Sequence, residues 1–596
     1  GHVQRRGPGQ ARAGRRFGGR RQRDAAGLEV LDEQRQQAQL GPIAKLPPMA
    51  DVHGHVRVER SDHQPGVRSR LDRRVGAQAD RGVERVDRKR CWCYKDRTCR
   101  GRRTLEFLPP RRGDAEKKRV NFMSRNNITL KIINQFAMQA LCLCVSAVIL
   151  SLTVTAQTAR DFSKENARAN REWVKDAVLY EIFPRQYSAK GDFNGITADL
   201  DRLNNLGVTV LWLMPIHPIG QEKKKGTIGS PYAVRDFYAI NPDYGTPADL
   251  KLLVAEAHKR GMKVIIDIVA NHTAWDSVMM KNPTFFTKNA QGEIIPPVAD
   301  WADVADLNYD NPETRKYIID MLKFWVRDYD LDGFRCDVAG FIPTDFWESA
   351  RAEVDKIKAD TIWLAEWESP DLHVKAFDVD YSWANHAAMT EVLHGLKPAS
   401  RIREVWEEQK AKFPKGSLRM RFSDNHDERR AIARFGEKGA LASQTLAFTL
   451  DGLPLIYNGM EVGDTTESGF PALFEKMPIY WPIEVRRPEF PRFYSGMAAL
   501  RKSSVALRRG DLTWLKNSDE SHLLTFSRRS GNEEFIVAIN MSSAPFFGSV
   551  EASGAFEDVT PQIGQPMPPD DEKAKARVGL PALSLEGFGF RIFRRK

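Results

Sequence analysis

From Trp173 onward, short apolar runs alternate with longer stretches of helical spacing. The apolar runs are Val178–Tyr187, Val208–Pro215, Lys263–Ala270, Gly333–Ala339, Ile362–Glu368, Val379–Trp383, Leu418–Ser423 and Pro454–Asn458. Their lengths and flanks predict strands, and Thr246–Arg260, Glu313–Tyr329 and Asp345–Lys358 predict helices between them. Asn311-Pro312-Glu313 is a helix start, with Pro early and an acid in the first turn. Eight strands separated by helices predict an α/β fold, a (β/α)8 TIM barrel with a short insertion after strand 3. A doubly wound open sheet is the alternative. After about residue 510 the pattern changes to short β-rich segments, Leu523–Ser527, Glu534–Asn540, Phe546–Val550 and Phe588–Phe593, parted by Gly, Ser and Asn. They predict a C-terminal antiparallel β-sandwich domain, read as a structural cap before a carbohydrate-binding module.

Composition changes this picture at the front of the chain. The net charge of +12 suggests a nucleic-acid partner until it is divided by position. Residues 1–122 hold 31 Lys+Arg against 15 Asp+Glu, out of 90 and 78 in the whole chain, so the remainder is slightly acidic. This leader has no sustained apolar period, and its Arg-rich stretches lack interleaved aromatics. It is expected to be upstream sequence translated with the gene, and no nucleic-acid partner is expected. Met123 opens an export-signal pattern: Arg125 and Lys131, then the apolar Ala140–Leu152, then Val154-Thr155-Ala156. The run is short for a membrane span. The expected organisation is therefore a leader (1–122), a signal peptide (123–156), a barrel (157–509, with an insertion at 273–306) and a β domain (510–596). The expected enzyme is secreted or periplasmic, without a stable membrane anchor after cleavage. Its six cysteines exclude a disulfide-dense scaffold, and only Cys336 lies beyond residue 157.

Catalytic residues of such a barrel lie where strands end and loops begin. Four strand ends carry dense polar clusters: Asp267 to His272 in Asp267-Ile268-Val269-Ala270-Asn271-His272, Arg335-Cys336-Asp337, Glu366-Trp367-Glu368, and Asp424-Asn425-His426-Asp427. One cluster alone is compatible with helix caps; four in order are not. Together they resemble the signature regions of the α-amylase superfamily of glycoside hydrolases, family 13, with Asp306-Leu307-Asn308 resembling an additional short motif. The resemblance covers roughly residues 170–596.

The resemblance implies Asp337 as the nucleophile of a retaining hydrolysis, Glu366 as general acid and then base, and Asp427 as a third carboxylate holding sugar hydroxyls. It implies His272 and His426 as hydroxyl-binding histidines and Tyr232, in Gly229-Ser230-Pro231-Tyr232, as an aromatic platform under the sugar. Retaining chemistry needs its two carboxyls about 5–5.5 Å apart. Arg335 shares a strand face with Asp337 and is expected to keep it ionised, as a member of the substrate-binding set. The apolar neighbours of Glu366 are expected to raise its pKa. Asp236 is a weaker sugar-contact candidate, and Glu368 is expected to support the rim.

The family's Lys-His pair after the nucleophile is replaced by Val338-Ala339-Gly340-Phe341. Asn271 and Asp306 match two of the family's calcium-ligand positions, but the His of that pair, which also helps to hold calcium, is replaced, so no cofactor, calcium included, is expected to be required. The expected activity is α-amylase-like cleavage of α-1,4 bonds in an α-glucan or maltooligosaccharide substrate. The alternatives are a transglycosylase or isomerase on the same fold, and an amylase-like binding protein. The sequence says nothing of oligomeric state.

Overall fold

The computed structural model describes residues 160–563 and 579–596; the expected leader (1–122) and signal peptide (123–156) lie outside the described residues. Eight parallel strands close into a barrel. In chain order the strands are β1 (Leu179–Ile182), β2 (Val210–Leu213), β3 (Lys263–Ile268), a side hairpin of β4 (His272–Ala274) and β5 (Val304–Asp306), then β6 (Gly333–Cys336), β7 (Ile362–Ala365), β8 (Val379–Tyr381), β9 (Leu418–Arg421) and β10 (Leu453–Tyr457). The ring runs β1-β2-β3-β6-β7-β8-β9-β10 and returns to β1.

Every expected run overlaps a barrel strand: seven strands lie within their runs and are shorter, and β10 starts one residue ahead of its run, at Leu453. The first is the clearest correction. It was expected to reach Tyr187, yet β1 stops at Ile182 and Pro184–Tyr187 forms a turn of helix. Proline has no N–H for the ladder, and its fixed φ suits the first helical position. The three expected helices occur at Pro247–Lys259, Pro312–Tyr329 and Thr344–Asp355. Thr246 and Asp249 cap the first reciprocally, and the Asn311 side chain caps the second.

Strand alternation divides the core in two. Leu179, Val210, Ile265, Leu364, Val379, Met420 and Leu453 point inward and plug the barrel. Their strand neighbours Tyr180, Leu211, Ile266, Phe334 and Trp363 point outward under the helices. The excursion after β3 is tied at its base by β4 pairing antiparallel with β5.

The tail is a two-sheet domain. A five-stranded antiparallel sheet has the order β11 (Asp511–Trp514), β12 (Leu523–Ser530), β13 (Glu533–Asn540), β17 (Phe590–Arg595), β15 (Phe556–Asp558); β14 (Phe546–Ser549) pairs with β16 (Ala582–Leu585). Leu523, Ile536, Phe546, Leu583 and Phe593 fill the space between the sheets. The other face of the larger sheet, with Phe526, Val537 and Ile592, joins the barrel core. The sequence reading found four of these strands; β11, β15 and β16 are only three or four residues long with at most two buried residues each, so they carry little apolar signal.

Candidate active site

The inward positions change character at the C-terminal end of the barrel. Two residues beyond Leu179, Ile265, Gly333 and Leu364 stand Glu181, Asp267, Arg335 and Glu366. The strands alternate, so each pair faces the same way, and the second member sits on top of the apolar plug. Register places Asp267 directly beside Arg335 across the β3–β6 pair.

Arg335 organises this layer. It is completely buried; its Nη1 donates to Asp267 at 2.8 and 3.0 Å and to Asp337 at 3.0 Å, while Nη2 lies 2.9 Å from Glu366 Oε1. A planar guanidinium suits this use because its donors leave in fixed directions toward several carboxylates. The expectation that Arg335 contacts substrate does not fit this geometry. With no surface exposed and its charge divided among three carboxylates, it is a positioning residue beneath the site.

The same sharing alters the expected charge states. Burial lifts the Asp337 pKa well above the ordinary carboxylate range, Glu366 adds to the rise by charge and hydrogen bonding, and Arg335 only opposes it. Glu366 is likewise raised by burial, with Arg335 acting against the rise and Asp427 adding to it. Burial thus favours the protonated form at both carboxyls, and Arg335 opposes it at both. Glu366 Oε2 also accepts from the Val338 backbone N–H at 2.9 Å. Val338 has φ 36° and ψ 48°, the left-handed region that a β-branched residue rarely occupies.

His426 occupies the opposite wall. Its Nδ1 lies 2.5 Å from Glu181, and its Nε2 lies 3.2 Å from Asp427 and 2.7 Å from the Tyr232 hydroxyl. Burial pushes its pKa down, but Asp427 and Glu181 outweigh that and hold it at about 9. Both ring nitrogens therefore donate at neutral pH. The Tyr232 hydroxyl in turn donates to Asp267 at 3.0 Å, and its ring stacks on His426 with centroids 5.4 Å apart.

His272 is buried, with Nε2 4.0 Å from Asp337 Oδ2. Burial lowers its pKa to about 3, so it is neutral. All seven site residues from the sequence thus lie in one connected cluster, although Arg335 sits under it and Asp427, over a third exposed, forms its outer edge. Asp236 accepts from the Tyr238 N–H in a local turn, and Glu368 holds Arg419 and the Ala384 N–H. Glu181 and Asp267 were given no role by the sequence reading. The available signal was strand alternation, which puts an acid on the inward face of β1 and of β3.

The Asn271 amide nitrogen turns to His272 Nδ1 at 3.3 Å, and among the described residues no three His, Cys, Asp or Glu side chains gather to hold a metal. Calcium takes roughly six to eight oxygen ligands. The chemistry below uses none.

Comparison with known proteins decides the family. Residues 159–290 and 298–487 match the family described as alpha amylase, catalytic domain. The chain belongs to the alpha-amylase family. Residues 239–352 also match a family described as glycosyl hydrolase-like 10.

An alpha-amylase from Lactobacillus plantarum is a structural relative of this alpha-amylase family member, with 31% identity, a TM-score of 0.62, and coverage of 71% of this chain and 99% of the other. Intracellular maltogenic amylase of Bacillus subtilis (strain 168) is 29% identical over 418 residues, 62% of this chain and 69% of the relative. Alpha-amylase MalA of Haloarcula japonica is 28% identical over 402 residues, and the match spans 63% of this chain and 56% of that protein. The Bacillus relative corrects the expectation of a secreted or periplasmic enzyme. That relative is named an intracellular enzyme, so the family's barrel and signatures do not imply export.

Proposed function

We propose that this chain hydrolyses α-1,4-linked glucose polymers or maltooligosaccharides with retention of anomeric configuration. The observation that carries the reading is the Asp337–Glu366 pair held by one guanidinium. Both carboxyls engage the same guanidinium, Asp337 Oδ1 3.0 Å from Nη1 and Glu366 Oε1 2.9 Å from Nη2, which suits a retaining pair about 5–5.5 Å apart better than an inverting pair about 6.5–9.5 Å apart. The substrate class follows the relatives named alpha-amylase and maltogenic amylase.

Each step has a residue to carry it. Glu366 carries a proton when substrate is bound, and Asp337 is the carboxylate. Asp337 attacks the anomeric carbon while Glu366 protonates the departing glycosidic oxygen, giving a glycosyl ester on Asp337 and a free sugar hydroxyl. Glu366, now ionised, takes a proton from water, whose oxygen attacks the same carbon and releases Asp337. The His426 imidazolium, neutral His272 and Asp427 hold hydroxyls of the reacting sugar, and the face of Tyr232 not covered by His426 is left for stacking. His426 and Arg335 together face five carboxylates: Glu181, Asp267, Asp337, Glu366 and Asp427. Positive charge that develops on the sugar ring in the transition state therefore meets a site with surplus negative charge.

Maltoheptaose digestion, with products resolved by size and anomer over the first turnovers, tests the proposal. Early α-anomeric maltooligosaccharides are the expected result. Early β-anomers would overturn retention, and products longer than the donor would replace hydrolysis by transglycosylation.

A further inference from the structure

The barrel mouth is walled on one side. Between β2 and the Pro247–Lys259 helix the chain leaves the barrel, runs from Gly220 to Gly229 as a strap, and returns through Tyr232. Its ends are joined by an antiparallel bridge of Ile219 with Val234. One foot of the strap rests on the excursion after β3. The Gln221 N–H donates to Asp276 at 3.1 Å, and Lys225 Nζ lies 3.0 Å from Asp303 and donates to the Asp300 carbonyl at 2.7 Å.

The other foot rests on the loop after β10. The Thr227 N–H donates to Glu475 Oε1 at 2.8 Å and the Ile228 N–H to the Phe474 carbonyl at 3.1 Å. Gly226, at φ +65°, lies so close that an added Cβ would stand 2.4 Å from the Phe474 Cβ. The β10 loop is itself pinned to the catalytic rim, where Ser468 Oγ donates to the Glu428 carbonyl at 2.7 Å. A continuous wall thus runs from Asp276 across the strap to Asp427-Glu428.

The reaction gives this wall a direction. Glu366 protonates the departing oxygen, so the leaving part of the glucan lies on its side of the mouth. There Trp301, Phe341 and Trp367 form a row of half-buried rings, 6.2 and 5.3 Å between successive centroids. Gly340 permits the row, because a Cβ there would stand 2.0 Å from the Trp367 ring. The retained part lies toward Tyr232, His426 and Asp427; Tyr232 follows the strap in the chain, and the β10 loop is tied to Glu428, the neighbour of Asp427.

We propose that the 220–229 strap and the β10 loop close the retained-sugar side of the cleft, so that the enzyme attacks α-glucans from the non-reducing end and releases short units. The inference rests on the α-glucan hydrolase reading above. A glucan chain continuing past the retained side would have to cross the strap, whereas the aromatic row leaves the opposite side available to a long leaving chain.

The test compares two substrates of the full chain: maltoheptaose, and maltoheptaose whose non-reducing terminal glucose carries an ethylidene acetal. The blocked form should be cleaved at least about tenfold more slowly, a difference of roughly 1.4 kcal/mol in barrier. Equal rates on the two would overturn the inference while leaving the hydrolase reading intact. Failure to cleave either would overturn the α-glucan reading and the inference with it. Lys225→Ala with Glu475→Ala removes one side-chain tie at each foot and should raise the blocked-to-unblocked ratio, and an unchanged ratio in a folded double variant would also overturn it. Lys225→Arg keeps the ion pair and should keep the ratio low; the wild-type comparison stands even if the double variant does not fold.

Discussion

The lower and upper halves of the barrel interior are built by the same strands, two residues apart, and are opposite in kind. Leu179, Ile265 and Leu364 are fully buried in an apolar plug. Glu181, Asp267 and Glu366, the next inward positions, crowd around Arg335. The plug contributes stability by leaving water; the upper layer costs stability, because ions are buried and then only partly compensated. The difference teaches that the plug is the platform on which a strained electrostatic arrangement can be held. Changes above should alter chemistry far more than folding, and changes below the reverse.

The sharpest way to break that contrast is at the nucleophile position. Asp337→Asn keeps shape and removes the charge, so kcat should fall by about 10,000-fold or more, on the scale of losing a triad member. Thermal unfolding should stay the same or rise, since a carboxyl is withdrawn from a crowded cluster. Residual activity near the wild-type level, measured on maltoheptaose with a freshly purified variant, would remove Asp337 from the mechanism.

The matching change below is Leu453→Ala at the start of β10, where the side chain is fully buried in the plug. A buried Leu→Ala typically costs about 2–5 kcal/mol through lost transfer energy and cavity formation. The denaturation midpoint should drop accordingly, while kcat per folded molecule, measured well below that midpoint, stays near wild type. A large loss of kcat without loss of stability would show that the two halves are not separable.

How much of this contrast the sequence carries depends on distance along the chain. The eight strands were legible because each is a local apolar run, and Asp337, Glu366, His426 and Asp427 because they sit in recognisable strand-end segments. Glu181 and Asp267 were within reach of simple alternation, yet a single acid in a strand draws no notice until its partner is known. The division of Arg335 among Asp267, Asp337 and Glu366 was not legible, since it depends on register between β3, β6 and β7. The strap was equally hidden. Its foot at Thr227 meets Glu475, 248 residues later, and no periodicity in Gln221–Gly229 announces that contact.

The smallest of the expected effects comes from pH, and it reports on the upper half alone. The His426 pKa of about 9 lies above the value of about 6.5 for an unfolded histidine. A group whose folded pKa is raised contributes stability that is fully present below the unfolded value and is lost as pH rises through the folded one. Between about pH 6.5 and 9 the folded enzyme holds this proton and the unfolded chain releases it, so stability should decline by up to about 3 kcal/mol over that window. The acid side has the opposite sign. Burial holds neutral His272 and His386 at about 3, so protonation favours the unfolded chain and stability falls as pH drops below about 6.5. Denaturant midpoints measured from pH 5 to 10 at constant ionic strength should therefore fall on the alkaline side of about pH 6.5. His426→Gln should flatten the alkaline limb and leave the acid limb in place. An alkaline decline that survives this substitution would assign it to other groups, and the imidazolium between Glu181 and Asp427 would no longer account for the stability of the site.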